Sequence, residues 1–178
     1  MANNYGVIRT DNMKATVTGD IRSARYMVST TETAIENGNL VQVDALLDAS
    51  KNREIFKAIA PAALTAKNIG VVATPELIYD ETKHYTLKDY INAAGKNIIV
   101  LMLRAGDLLS VSDACIVAID DDDDIPAVGS YVTLTATSTK WTEKATLGGT
   151  ETVVGKIIAR ELYKENTYLN VIEMISAN

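Results

Sequence analysis

The chain of 178 residues holds one cysteine and one histidine, and that scarcity removes several kinds of chemistry at once. Cys115 has no second thiol with which to form an intrachain disulfide, and a zinc ribbon or a site built on several imidazoles lacks its ligands. A Ser/His/Asp triad would have to use His84, which sits in the polar stretch Glu81-Thr82-Lys83-His84-Tyr85, and no serine stands in a nucleophile-elbow pattern. His84 therefore reads as a surface or capping residue. Cys115, within Ala114-Cys115-Ile116-Val117-Ala118, reads as a small buried apolar one, with no basic neighbour in sequence to activate it.

Long apolar runs are missing as well. The longest aliphatic stretch, Ile98 to Leu103, is far below the roughly 18–20 residues that cross a bilayer. The start, Met1-Ala2-Asn3-Asn4-Tyr5, has no cationic head followed by an apolar segment, so neither export nor membrane insertion is expected. Positive charge is scarce: a net charge of -6 and a pI near 4.8 argue against a protein that coats nucleic acid, which needs clustered Lys and Arg. The exception is the first thirty-one residues, where Arg9, Lys14, Arg22 and Arg25 outnumber Asp11 and Asp20.

What is present is strand signal. An apolar share of 47% is ample for a folded core. Four runs in the last third, Asp107 to Asp120, Tyr131 to Thr137, Val153 to Leu162 and Tyr168 to Ile175, have the length and β-branched content of strands. In one of them Val132, Leu134 and Ala136 alternate with Thr133, Thr135 and Thr137, the period of a half-buried antiparallel strand with an outward hydroxyl face. Upstream, Leu40 to Val43, Ile69 to Thr74 and Asn97 to Arg104 read as strands, the last covered on both faces, while Arg53 to Ala66, where Ile55, Phe56 and Ile59 sit at helical spacing but Pro61 interrupts a continuous helix, leans towards an extended strand. Asn37-Gly38 has hairpin-turn chemistry. Thr86-Leu87-Lys88-Asp89 resembles a capping box opening a short helix that ends at Gly95.

The pattern predicts a mainly β protein: a small antiparallel β-barrel or sandwich as C-terminal subdomain, and a β-rich N-terminal subdomain with one short helix. The boundaries implied are 1–33 for an extended N-terminal arm with strands, 34–96 for a β-rich subdomain with a short helix near 86–94, and 97–178 for the small barrel.

Candidate chemistry does not assemble. Asp120 to Asp124 is a cluster of carboxylates that a hard cation could use, but an EF-hand loop counted from Asp120 needs Gly sixth and Glu twelfth, where Ile125 and Tyr131 stand. Gly149, Gly155 and Lys156 miss the phosphate-loop spacing, and Ile157 replaces its Ser or Thr. Glu161, Glu165 and Glu173 are explained as solvent-facing strand positions. Trp141 with Tyr131, Tyr163 and Tyr168 could form an aromatic platform for a sugar, a carbohydrate-binding alternative. No catalytic, metal or cofactor residues are assigned.

Val71-Val72-Ala73-Thr74-Pro75-Glu76-Leu77-Ile78-Tyr79-Asp80-Glu81, followed by Leu87-Lys88-Asp89-Tyr90-Ile91-Asn92-Ala93-Ala94-Gly95-Lys96 and then Ala105-Gly106-Asp107-Leu108-Leu109-Ser110-Val111-Ser112, resembles small virion proteins of tailed bacteriophages. The closing segments Val153 to Ile158 and Tyr168 to Ile172 are similar to the final strands of small barrels in capsid decoration proteins. The resemblance covers most of the chain from Asn37-Gly38 onward and rests on turns and strands. The aspartate run and the Trp141 connection have no counterpart in it. It implies a non-enzymatic head decoration, or cement, protein, made in the host cytoplasm and located on the outer capsid surface. Its partner would be the major capsid protein, its own state a homo-oligomer, and it would need no cofactor, nucleic acid or membrane. A head-completion or tail protein is the alternative within the virion. On this reading the basic N-terminal segment is an arm that reaches a neighbour, with Tyr5, Ile8, Arg9, Arg22 and Arg25 as its contacts.

Overall fold

The computed structural model describes residues 4–17, 19–48, 54–77, 86–119, 125–164 and 167–177. His84, with Glu81 to Tyr85, and the run Asp120 to Asp124 lie outside the described residues. The protein is mainly β, with strands β1 (Ile8–Lys14), β2 (Ile21–Val28), β3 (Thr31–Glu32), β4 (Leu40–Leu46), β5 (Ile55–Ile59), β6 (Ile69–Val72) and β7 (Ile98–Met102) in the first part. The second part adds β8 (Leu108–Ser112), β9 (Ile116–Val117), β10 (Tyr131–Thr133), β11 (Trp141–Lys144), β12 (Val154–Lys164) and β13 (Thr167–Ser176).

Closure occurs in the N-terminal half. Strands β2, β5, β4, β6 and β7 follow one another around a ring that returns to β2, where Ile21 faces Leu101 and Ala24 faces Ile98. All its pairings are antiparallel except β2 with β5, which run parallel. The C-terminal runs instead build an open, curled seven-stranded sheet in the order β1-β8-β13-β12-β10-β11-β9. The expected location of the barrel is thereby corrected from 97–178 to 21–102, and the reason lies in β7. Ile98, Val100 and Met102 are buried in one apolar cluster with Ala24, Val41, Val43, Ala58 and Val72, so this strand completes the barrel wall and does not begin the second sheet. In exchange β1 leaves the N-terminal region and pairs with β8.

The short helix is also corrected. Residues 86–94 contain a single 3-10 turn, Leu87–Asp89, after which Tyr90 is extended at φ -83 and ψ 132. The local bonding is as anticipated: the Asp89 carboxylate accepts the Thr86 N–H at 3.0 Å and its hydroxyl at 2.9 Å. A tertiary contact stops propagation, because Asn92 forms a β-bridge with Ile35 and its side-chain amide donates to the Ile35 carbonyl.

Two cores result. One fills the barrel. The other lies between the barrel wall, through Leu40, Ile69 and Val71, and the inner face of the open sheet, through Leu109, Val111, Val132, Trp141, Ile157, Ile172 and Met174. Each such side chain taken out of water stabilises the fold by about 1.5–3 kcal/mol. Alternation along β6 assigns the faces: Ile69 and Val71 look to the sheet, Gly70 and Val72 into the barrel. The barrel lumen is tight at Gly70, where a Cβ would stand 2.4 Å from Val100 Cγ1 and 2.7 Å from the Leu101 carbonyl oxygen.

Candidate interaction surface

The five residues anticipated as partner contacts are part of the folded body. Ile8 is buried in the core between the barrel and the sheet, opposite Val111. Arg9, its neighbour on β1, holds Asp11 at 2.8 Å and lies 5.3 Å over the Tyr163 ring. Arg22 and Arg25 are on β2 in the barrel wall. Arg22 lies 5.1 Å over Phe56, and Arg25 bonds Glu32 at 2.9 Å and Asn97 at 2.8 Å. Tyr5 is half-buried and its N–H donates to the Lys88 carbonyl. Ile8 and Arg9 are therefore on one sheet, Arg22 and Arg25 on the other and Tyr5 on neither, and residues 8–14 and 21–28 are strands with partners on the body.

Buried polar groups serve as internal fasteners. Asn37 is fully enclosed: its amide donates to the Thr74 carbonyl and to Glu76, and its oxygen accepts from the Asn92 amide and the Thr74 N–H. The Asp107 carboxylate takes the Thr16 N–H and hydroxyl on one oxygen and the Arg104 N–H on the other. Asp113 holds Arg160 and Asn170, and Arg160 stacks 4.0 Å over Tyr168. Glu151 receives Lys144 at 3.0 Å and the N–H groups of Gly148 and Thr150, and the Lys144 bond, then the Gly148 amide, hold its carboxyl down at about 2. Each carboxylate is thus occupied by hydrogen-bond donors.

The anticipated aromatic platform does not form around Trp141. The indole is 0% exposed, and its Nε1–H donates to the Gly38 carbonyl at 3.0 Å. Next to it lies Cys115, whose thiol is enclosed by Gly6, Gly38, Ser112 and the Asn37 carbonyl, and whose burial pushes its pKa up to about 12. The thiol is a packing group, as the sequence indicated. Thr133, read as outward-facing, is buried with its hydroxyl on the Val153 carbonyl, and β10 ends there; Thr137 has a left-handed φ of 64.

Exposed aliphatic side chains lie on the barrel strands, at Ile21, Val28 and Leu46, and along the rim of the open sheet. Beyond Ile157, β12 loses its neighbour β10 and continues in pairing with β13 alone, leaving Ile158 and Leu162 in solvent. At the far edge, β9 carries the exposed Val117. Just past it, the buried Glu143 side chain acts as a clasp: Oε2 accepts the Ile119 N–H at 3.1 Å and Oε1 the Ala127 N–H at 2.8 Å. Each of these hydrogen bonds helps offset the cost of burying the Glu143 side chain. Sequence reasoning passed over Glu143, although Trp141-Thr142-Glu143-Lys144 alternates with period two and so places the carboxylate on the same inner face as the indole. No protein-family model, curated protein or solved structure matches the chain.

Proposed function

We propose that this chain is a non-enzymatic structural virion protein that decorates and stabilises a bacteriophage capsid by bridging major capsid subunits. The observation that supports this reading best is the contrast between interior and rim. The buried side chains of Glu143 and Asn37 are committed to holding loops and strands together, whereas aliphatic side chains such as Leu162, 61% exposed, stand in solvent along the rim of an open sheet. Exposed apolar groups gathered at a rim favour contact with another macromolecule. The identity of that macromolecule rests on the resemblance to small virion proteins of tailed bacteriophages. In this reading the curled sheet, built mostly from residues after 107, is the docking half and the barrel its brace. Several weak contacts on one rigid lattice would reinforce one another, with about 100-fold or more gained in avidity.

The test is co-sedimentation of the purified chain with shells assembled from the major capsid protein of the virus that encodes it, with bound copies counted. Saturation at copies spread over the whole shell supports decoration. Copies confined to one vertex would indicate the head-completion or tail role, and absence from the pellet would reject both. Removing residues 2–25 is not a clean probe of an arm, since it takes away β1 and most of β2. Arg9→Ala, Arg22→Ala and Arg25→Ala separate contact from folding.

A further inference from the structure

We infer that a groove on the outer wall of the barrel receives an extended segment of a neighbouring shell subunit, one in which an aspartate or glutamate stands next to an aliphatic residue, and that Lys57 takes its carboxylate. The inference rests on the decorating role proposed above: a bridge needs a second contact besides the sheet rim, and the barrel, besides bracing the sheet, carries it. The groove, of about 360 Å³, follows the parallel pair of β2 and β5. Ala24 and Ala58 belong to the barrel core, so by the alternation of a strand their neighbours Arg25 and Lys57, which stand in register, face outward, and Met27 and Ile59 follow them two positions on. Val28, 54% exposed, and Pro61 extend the apolar lining. From Lys57 to Pro61 the floor runs about 13 Å, the length of four extended residues.

Charge selects the occupant. Arg25 is already committed, to Glu32 at 2.9 Å and to Asn97 at 2.8 Å. Lys57 beside it has no carboxylate partner among the described residues, so a free ammonium with a second cation next to it closes one end of an apolar groove. A carboxylate seated there meets unneutralised positive charge while its aliphatic neighbour covers Met27, Val28 and Ile59; a cationic segment is repelled from the same end. The groove also holds its shape before anything binds. Thr137, in its wall, donates its N–H to the Pro61 carbonyl at 2.8 Å, and Ser29 and Thr137 both keep a left-handed backbone, with φ of 58 and 64, which a β-branched residue such as threonine rarely adopts. Walls that are already fixed spare a partner the cost of ordering them.

The experiment uses the shells of the co-sedimentation assay. A carbodiimide, which joins a lysine amine to a carboxylate in contact with it as an amide, is added to loaded shells, and the linked peptides are read by mass spectrometry. The wild type should give a link from Lys57 to an aspartate or glutamate of the shell protein that has an aliphatic neighbour. Lys57→Arg keeps the charge without the reactive amine, so it should bind about as tightly as the wild type and give no such link. Lys57→Glu and Val28→Asp should each bind about tenfold or more weakly. Lys67→Glu makes the same charge change at an exposed position on the loop between β5 and β6, outside the groove, and should bind about as tightly as the wild type. Thermal melting reports folding for each variant, and the link in the wild type decides the matter even for a variant that melts early. If the wild type binds but Lys57 gives no link, or Lys57→Glu binds equally well, this inference is overturned and the decorating role stands. A Lys57 link to a second copy of this chain in place of the shell protein would overturn it too, with that copy as the occupant. No binding by the wild type would remove the decorating role and this inference together.

Discussion

Replacing Gly38 by alanine sets a single methyl group against two constraints whose sizes the structure allows to be separated. Gly38 has a φ of +80, a conformation that costs an L-residue about 1–2 kcal/mol. A Cβ there would also stand 2.5 Å from Cys115 Sγ, with no other atom nearer than 3.4 Å. The thiol is enclosed and has no room to retreat, so overpacking adds about 1–3 kcal/mol. Gly38→Ala should therefore destabilise the protein by about 2–5 kcal/mol, which for a chain of this length lowers Tm on the order of 10 °C. Cys115→Ala removes the sulfur, and in that background Gly38→Ala should cost only the backbone part, about 1–2 kcal/mol. Gly6→Ala is the contrasting case: its Cβ would meet the Asn37 carbonyl oxygen at 2.5 Å as well as Cys115 Sγ at 2.6 Å, and Cys115→Ala leaves the carbonyl in place. The assay is urea unfolding followed by the fluorescence of the buried Trp141, with the coupling energy taken from the double-mutant cycle. An equal cost for Gly38→Ala in both backgrounds, or an equal rescue of Gly6→Ala, would refute the packing argument.

Glu151 makes stability depend on pH in a defined window. Its carboxyl is held at about 2 in the folded chain against an ordinary 4.5, so between those values the unfolded chain binds a proton that the native one does not. Stability from this group is complete above about 4.5 and is lost as pH falls towards 2, and acid unfolding of Glu151→Gln should show a shallower slope across that interval. Cys115, buried with its pKa pushed up to about 12, should resist a thiol-reactive dye at neutral pH and become labelled only at the rate of global unfolding, as mass spectrometry along a urea series will show. Labelling that is fast in native buffer would contradict the enclosed thiol.

Strand content was legible because it is written in local pattern. Leu40 to Val43, Ile69 to Val72 and Ile98 to Met102 are apolar runs too short for helices, and each is a strand. Ile55–Ile59 is likewise extended, ahead of Pro61. Pairing was not legible, since it depends on partners far away in sequence. Nothing in Ile98 to Met102 indicates that it faces β2 across a closed ring. Asn37-Gly38 shows how a local signal is overruled: Gly38 adopts the anticipated positive φ, yet Asn37 turns inward to bond Thr74, Glu76 and Asn92, and Ile35 bridges Asn92 where a hairpin would have used β4. Glu143, which holds the N–H groups of Ile119 and Ala127, is sixteen positions from Ala127 and shows its role only in three dimensions.

The order of strands in the open sheet has a consequence for how the molecule is made. β1, formed by residues 8–14, leans on β8, about a hundred residues later, and β8 in turn leans on β13, which ends at Ser176. The barrel needs nothing beyond Met102 to close, so during synthesis it can fold while the opening strand still has no seat. Assembly of the second layer then waits until β13 has left the ribosome, a long-range closure of the kind that slows folding. Loss of β13 would accordingly free β1 as well as β8.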